Sequence, residues 1–338
     1  MHYVRPIEAD DLPALVRLSH RTGYGLTTLP PDPELLRSRI QDSLRGFARA
    51  ADKPGGETYL LALIDPDEGL VGVSGMVAKV GGFEPFYAYR INEEIHESLS
   101  LGKRVAIEYL HLVQEHNGPS EIGSLFLSPA HRRGSNGRLL SLSRFLFMAD
   151  QPRFFDEVVL AEMRGRIDFQ GHSPFWEAIG RHFFAMEFPQ ADYLVMKDKG
   201  FLAELMPKHP VYIPLLPKEA RDVINQVHPE TAPALRLLES EGFARNGMVD
   251  IFEGGPVVTC RRRDIRTVRD SRVLTLTGVA GSRQEQPYLI SNGRIRDFRA
   301  CVAHPVLKED GMELSQEAAA ALQVQKGDSL RLVALRGE

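Results

Sequence analysis

Apolar residues recur along this chain with two different periods, and the change from one to the other is sharpest within residues 121–150. Ile122, Leu125, Phe126 and Leu127 form a short apolar run that reads as a buried strand, and Pro129, which has no amide hydrogen, ends its ladder. Leu139, Leu140, Leu142, Phe145, Leu146 and Met148 then follow at three-to-four spacing, the period of an amphipathic helix. Between the two runs lies a basic turn made of Arg132, Arg133, Gly134, Ser135, Asn136, Gly137 and Arg138. A strand that feeds a helix through such a turn leaves backbone N–H groups free at the helix start, where the dipole favours negative charge, so a phosphate site is predicted there. A generic strand-to-helix connection has the same composition, and only the rest of the chain separates the two readings.

The same patterns predict the neighbouring elements. Tyr3 and Val4 read as a strand, followed by a helix with Asp10 and Asp11 at its start and Leu12, Leu15, Val16 and Leu18 on one face. A second helix is expected over residues 32–50, beginning near Pro33, and residues 58–64 and 70–80 form an antiparallel hairpin about the turn at 65–69. Phe83, Phe86, Tyr87 and Tyr89 lie near a candidate strand, with another β-rich run at 103–112. Residues 157–164 give a further strand. Ser173 and Pro174 cap a helix whose packing face is Trp176, Ile179, Phe183, Phe184 and Met186. Pro207, Pro210, Pro214 and Pro217 mark a turn-rich connection, and a helix over 231–241 stops at Gly242. Past Arg263 the texture changes to short strands with one short helix at 315–321. The chain therefore divides into residues 1–263 and a small all-β module over 264–338.

With 338 residues, 43% hydrophobic and 25% charged, the chain has the composition of a soluble globular protein with a substantial core. A net charge of −4 gives no global attraction to nucleic acid, so an anionic ligand must be held by a local cluster. No apolar run is long enough to cross a bilayer. A cytoplasmic location without membrane partners is expected, with Cys260 and Cys301 as reduced thiols. Two cysteines, with no HxxxH or CxxC spacing nearby, give no reason to expect a metal.

The order of antiparallel strands, strand, basic glycine turn, helix and strand resembles the GCN5-related N-acetyltransferase (GNAT) fold, an α+β fold with a mixed, mainly antiparallel sheet flanked by helices. That fold carries a Q/R-x-x-G-x-G/A turn for the CoA pyrophosphate. Here the first glycine position holds Ser135, and Gly134 stands one place earlier. More specific words are GLTTLP at 25–30, SPFWEAIGRHFF at 173–184, FLAELMPKHPVY at 201–212, QVHPETAPA at 226–234 and DIFEGGP at 250–256. Together they resemble the arginine N-succinyltransferase family over essentially the whole chain.

The resemblance implies a GNAT-like core with a C-terminal β-barrel-like module. It also implies transfer of succinyl from succinyl-CoA, a co-substrate rather than a permanently bound cofactor, to the α-amino group of L-arginine in bacterial arginine catabolism. It assigns proton handling to His228 and an acyl-donor contact to Leu125. Arg133, Gly134, Asn136, Gly137 and Arg138 extend the donor site, with simple solvation as the other reading of Arg132 or Arg138. An α-ammonium must lose a proton before it attacks a thioester, and a histidine with an ordinary pKa of ~6.5 suits that step. The substrate guanidinium calls for carboxylates, for which Glu162, Glu204 and Asp250 are candidates beside surface or structural roles. The succinyl carboxylate calls for a cation, with Arg164 and Arg181 as candidates, and Thr27 and Thr28 are placed at the pocket or in a plain loop. Ornithine or another amine as acceptor stays open at this level. So does a non-catalytic chain, since the family occurs as paired subunits, and either a homo-oligomer or pairing with a homologous subunit is expected.

Overall fold

The computed structural model describes residues 1–23, 26, 28–49, 52–82, 85–279 and 285–335. Among the described residues, ten strands and nine α-helices precede the change of texture. The strands are β1 (Tyr3–Pro6), β2 (Thr58–Asp65), β3 (Gly69–Val77), β4 (Phe86–Ser98), β5 (Lys103–Glu115), β6 (Ser120–Leu127), β7 (Val158–Glu162), β8 (Val211–Tyr212), β9 (Ala244–Val249) and β10 (Pro256–Arg261). The helices are α1 (Leu12–Ser19), α2 (Pro33–Ala48), α3 (Asn136–Asp150), α4 (Pro174–Ala178), α5 (Gly180–Phe184), α6 (Phe188–Val195), α7 (Gly200–Leu205), α8 (Lys218–Val223) and α9 (Ala232–Ser240). After these come α10 (Arg266–Arg269), β11 (Arg272–Val279), β12 (Tyr288–Ser291), β13 (Ala300–Ala303), β14 (Val306–Lys308), β15 (Gly311–Leu314), α11 (Gln316–Leu322) and β16 (Ser329–Ala334). All sixteen strands join in the order β14-β15-β11-β16-β12-β13-β1-β2-β3-β6-β7-β10-β9-β4-β5-β8. Most neighbours are antiparallel, and β6–β7 and β11–β15 are the parallel pairs. The fold is the mixed, mainly antiparallel α+β sheet with flanking helices that the chain's pattern implied.

Alternation in β2 sends Leu60, Ala62 and Ile64 to one face and Tyr59, Leu61 and Leu63 to the other. The first face is covered by Leu15 and Leu18 of α1 with Leu36 and Ile40 of α2, and the second by Leu139, Leu142, Leu146 and their neighbours on α3. Strand β6 breaks this alternation. Ile122 and Leu127 are five residues apart and belong on opposite faces of a regular strand, yet both pack against α3. The register explains it: two steps along β3, from Val73 to Gly75, correspond to three along β6, from Phe126 back to Gly123. The extra residue is a β-bulge, and Ser124 adopts φ 51° there. On its other side β6 pairs with β7 only at Ser120–Val159 and Glu121–Leu160. Beyond Glu121 the two parallel strands no longer pair, and the space between their carboxyl ends is here called the cleft.

Three expectations are refined. Helix α3 is buried nearly all round rather than along one stripe, because Phe298, Leu289 and Val333 from the C-terminal strands join the sheet in covering it. The predicted helix from Ser173 is split at Ile179 into α4 and α5, and Phe183 faces solvent instead of the core. The mixed stretch before β6 is a long two-stranded ribbon, with β4 and β5 paired residue for residue from Phe86–Glu115 to Ser98–Lys103. Phe83, one of the aromatic set, falls outside the described residues.

Candidate active site

At the start of α3 the basic turn has room for a ligand. Gly134 takes φ 56°, a left-handed conformation that costs a side-chain-bearing residue about 1–2 kcal/mol. Ser135 beside it has φ −92° and serves as the helix N-cap, so the shift of glycine by one place puts it where the backbone needs it. A Cβ added at either Gly134 or Gly137 would meet nothing within 4 Å. Asn136 is buried, and its Nδ2 donates to the His131 carbonyl at 3.1 Å, closing the turn on itself. Arg133 is exposed and Arg138 half-buried at the open side. Arg132 acts as a brace: its Nε donates to the Leu127 carbonyl at 3.0 Å and its guanidinium lies over the Phe126 ring.

The cleft where β6 and β7 part is lined with acids. Glu162 ends β7 opposite Val257 of β10, and Glu121 lies on β6 where the parallel pairing stops. Asp250 and Glu253 stand on the turn that joins β9 to β10. Asp250 Oδ1 accepts the amides of Phe252 at 2.8 Å and Glu253 at 2.7 Å, and Glu253 Oε2 accepts the Gly165 amide at 2.6 Å. That turn is pressed against the segment after β7, where a Cβ on Gly255 would fall 2.0 Å from the Met163 carbonyl oxygen. The glycine pair of the EGGP word is what allows the approach.

The Glu162 side chain reaches solvent, yet protein crowds it enough that loss of hydration holds its carboxyl well above the usual carboxylate range. Asp250, Glu121 and Glu253 push it further up, while Lys199 opposes them. Burial likewise raises Glu253, Asp250 and Glu121, the last against the pull of Lys199 and Arg39. Four carboxyls with raised proton affinity, three of which push up the fourth, Glu162, make a site for a cation, which would relieve both the repulsion and the lost hydration.

His228 forms part of the adjoining wall. Its amide donates to the Arg164 carbonyl at 2.8 Å, two residues beyond Glu162, and its own carbonyl accepts the amides of Thr231 and Ala232 at the start of α9. The ring Nδ1 accepts the Glu230 amide at 3.2 Å, and a hydrogen bond to the Ile167 carbonyl engages the ring as well. Burial lowers the imidazole pKa, helped by the Arg164 and Arg166 charges and resisted by Glu230. Burial and the neighbouring cations therefore keep this histidine neutral near pH 7.

The remaining candidates separate clearly. Arg164 is half-buried beside His228, 3.8 Å from Glu230, and its Nε is buried without a hydrogen-bond partner among the described residues. The first loop reaches it, since a Cβ on Gly23 would stand 3.9 Å from its Nη2. The Thr28 hydroxyl is buried and likewise lacks a partner among the described residues. Thr27 lies outside them. Leu125 is half-buried just past the bulge and packs at the edge of the α3 core. Glu204 is exposed on α7, and Arg181 is exposed and paired with Glu177 and Glu187, so neither is gathered into the cleft.

Sequence reasoning missed Glu121, Glu253, Lys199 and Arg39. Glu253 was inside a quoted word, and Glu121 is an acid abutting an apolar strand. Nothing in the sequence of α2, or at the start of α7, singles out Arg39 or Lys199. Among the described residues one group has metal-ligating chemistry, His2, Asp65 and His131. Both histidine Nε2 atoms approach the same Asp65 Oδ2, at 2.8 and 3.6 Å. Two hollows elsewhere, one around Arg294, Gln323 and Asp328 and one between β1 and Arg296, include neither His228 nor the acids.

The family of the arginine N-succinyltransferase beta subunit matches residues 2–267, and its C-terminal domain matches residues 272–334. An arginine N-succinyltransferase of Yersinia pestis is 42% identical, over 99% of this chain and 98% of the relative. The arginine N-succinyltransferase subunit beta of Pseudomonas aeruginosa is also 42% identical with the same coverage. Among solved structures, subunit AI of the arginine/ornithine succinyltransferase of P. aeruginosa superposes with a TM-score of 0.91 at 37% identity, covering 100% of this chain and 99% of that one. The chain belongs to the arginine N-succinyltransferase family.

Proposed function

We propose that this chain transfers the succinyl group of succinyl-CoA to the α-amino group of L-arginine, giving N2-succinyl-L-arginine and CoA. The observation that carries the assignment is the set of four acids, Glu121, Glu162, Asp250 and Glu253, at the mouth of the split between β6 and β7. A planar guanidinium offers five N–H donors in a rigid fork and suits several carboxylates at once better than a point ammonium does. This favours arginine over ornithine as acceptor. Membership of the family supports succinyl-CoA as donor, with Leu125 beside the acyl arm and residues 133–138 on the pyrophosphate.

In this reaction the free amine attacks the thioester carbonyl, a C–N bond forms, the C–S bond breaks, and the ammonium proton leaves as CoA departs as a thiol. His228 handles the proton. It is neutral at the working pH; with Nδ1 accepting the Glu230 amide, the ring proton sits on Nε2, which can donate it to the departing thiolate, and Nδ1 can take up the amine proton once the Glu230 amide lets go. The bond to Ile167 must yield for Nε2 to meet the thiolate. A cytoplasmic enzyme acting with a second, homologous subunit or a copy of itself fits the subunit designations of the Pseudomonas relatives.

The test is CoA release by the purified chain with a panel of acyl donors and amines. Succinyl-CoA with arginine is expected to give the highest kcat/KM. Efficient turnover of another pair, with none for this one, would overturn the substrate assignment. Activity that appears only after a homologous partner is added would place the chain as the non-catalytic member of a pair.

A further inference from the structure

Two arginines meet the bulge of β6 from opposite faces of the sheet, and they differ in what can reach them. From the α3 side, Arg144 is 2% exposed; its Nε and Nη2 donate to the Ser141 carbonyl and hydroxyl at 2.9 and 2.8 Å, and Nη1 approaches the Gly123 carbonyl at 3.5 Å. Burial alone brings its pKa down to about 9. It is sealed in and braces the bulge. From the α2 side, Arg39 is half-buried; its Nη2 donates to Ser124 Oγ at 3.1 Å, while its Nε is buried with no hydrogen-bond partner among the described residues.

Arg39 has no carboxylate within ion-pair distance among the described residues. Glu121 acts on it only at longer range, and Asp42, one turn along α2, is bonded to Arg45. Loss of hydration lowers its pKa, so the guanidinium is held out of water without a counter-ion. A cation so placed lacks an anion, and the residue it touches, Ser124, immediately precedes Leu125.

We propose that Arg39 and the Ser124 hydroxyl form an anion subsite that binds the terminal carboxylate of the acyl group, so that this chain selects dicarboxylic acyl-CoA donors over neutral ones. The proposal rests on the acyl-transfer reading above. It replaces Arg181, which is engaged with Glu177 and Glu187 on the surface, and leaves Arg164, beside His228, on the acceptor side. The acids at the split supply the opposite polarity for the acceptor, so the two ends of the reaction are sorted by charge along β6: Glu121 before the bulge, and the arginine at it.

The test compares wild type with Arg39→Gln and Arg39→Lys, using succinyl-CoA and butyryl-CoA, which share chain length but differ in terminal charge. It also compares L-arginine with L-argininamide, which keeps the α-amine and lacks the α-carboxylate. Arg39→Gln is expected to reduce the succinyl-to-butyryl ratio of kcat/KM about 100-fold, with Arg39→Lys recovering part of it. An unchanged ratio overturns the subsite, and so does a loss of preference for arginine over argininamide, which would place Arg39 on the acceptor carboxylate. Should the variants not fold, as judged by CoA affinity in calorimetry, the wild-type ratio decides: no preference for succinyl over butyryl overturns it. If wild-type enzyme turns over neither succinyl-CoA nor arginine, the functional assignment itself fails, a result distinct from active wild type with an unaltered ratio in the variant.

Discussion

The turn that follows β6, proposed for the donor, and the cleft beside β6, proposed for the acceptor, are built on opposite principles. The turn is seven consecutive residues, and its binding capacity comes from the main chain: a left-handed Gly134, an open Gly137 and the first amides of α3. The cleft is assembled from residues 121, 162, 164, 199, 228, 250 and 253, and its capacity comes from side-chain charge held partly out of water. A backbone site tolerates changes of side chain that keep its geometry. A charge site tolerates changes of backbone neighbours but not loss of one acid. Substitutions in the cleft should therefore alter acceptor kinetics and leave CoA affinity alone, and substitutions in the turn should do the reverse.

The largest break is expected at His228. His228→Ala should lower kcat about 10²–10⁴-fold, the range for loss of a general acid–base group, with CoA affinity by calorimetry within about twofold of wild type. The pH dependence gives the sign. A base whose pKa is depressed is protonated only below the ordinary histidine value, so kcat/KM should stay flat through neutrality and fall as pH drops below ~6.5. An acid limb centred above 7 would show that the titrating group is another residue.

Next comes Glu162→Gln, which should lower kcat/KM for arginine about 100-fold or more by leaving the guanidinium without its central partner. The same site makes a proton-linked prediction. Its carboxyls have raised pKa values in the free protein, and a bound guanidinium favours their ionised forms, so arginine binding should release protons. Release should be visible just above the ordinary carboxylate range and fade as pH rises past the raised values. Calorimetry in buffers of different ionisation enthalpy measures it, and proton uptake would contradict the mutual repulsion inferred for these groups.

This contrast also explains what could be read before folding. The β6–turn–α3 unit was legible because its signals are local: an apolar run, a proline stop, a glycine turn and a helical period within thirty residues. His228 and Asp250 came from family words, Glu162 from standing near them and Leu125 from what the family resemblance implies, and the fold brings Glu162 and Asp250 into one electrostatic group. Glu204 was chosen by the same adjacency and is exposed on α7. Proximity in sequence to a specific word does not determine which side of an element a residue occupies. Arg39 and Lys199 had no local signal, since an arginine or lysine on a helix has the same pattern whether its head ends in solvent or over a cleft. The bulge at Ser124 was equally hidden, because it is visible only in the mismatch of register with β3.

On the turn, Gly137→Val sharpens the comparison. A Cβ there meets nothing within 4 Å beyond its own helix, so the melting temperature should change little, and the methyls would occupy the space proposed for the pyrophosphate. CoA affinity should weaken about tenfold, with the KM for arginine nearly unmoved. A weakened arginine KM with intact CoA binding would mean that the turn and the cleft have been assigned the wrong ligands.

The smallest effect is expected at Arg181, and it tests whether the charge sorting is spatial or merely compositional. Arg181 sits within a family word, carries the charge a succinyl carboxylate would need, and lies among conspicuous aromatic residues. Yet it is about half exposed and paired with Glu177 at 2.5 Å and Glu187 at 2.8 Å, both on the same surface. Exposed ion pairs are screened by solvent and contribute little, so Arg181→Ala should leave the melting temperature almost unmoved and change kcat/KM for either substrate less than about twofold. A loss of activity as large as that at Glu162, measured in a folded variant, would mean that the segment of α5 moves to meet the substrate, and the division of β6 into an acidic acceptor end and a basic donor end would have to be redrawn.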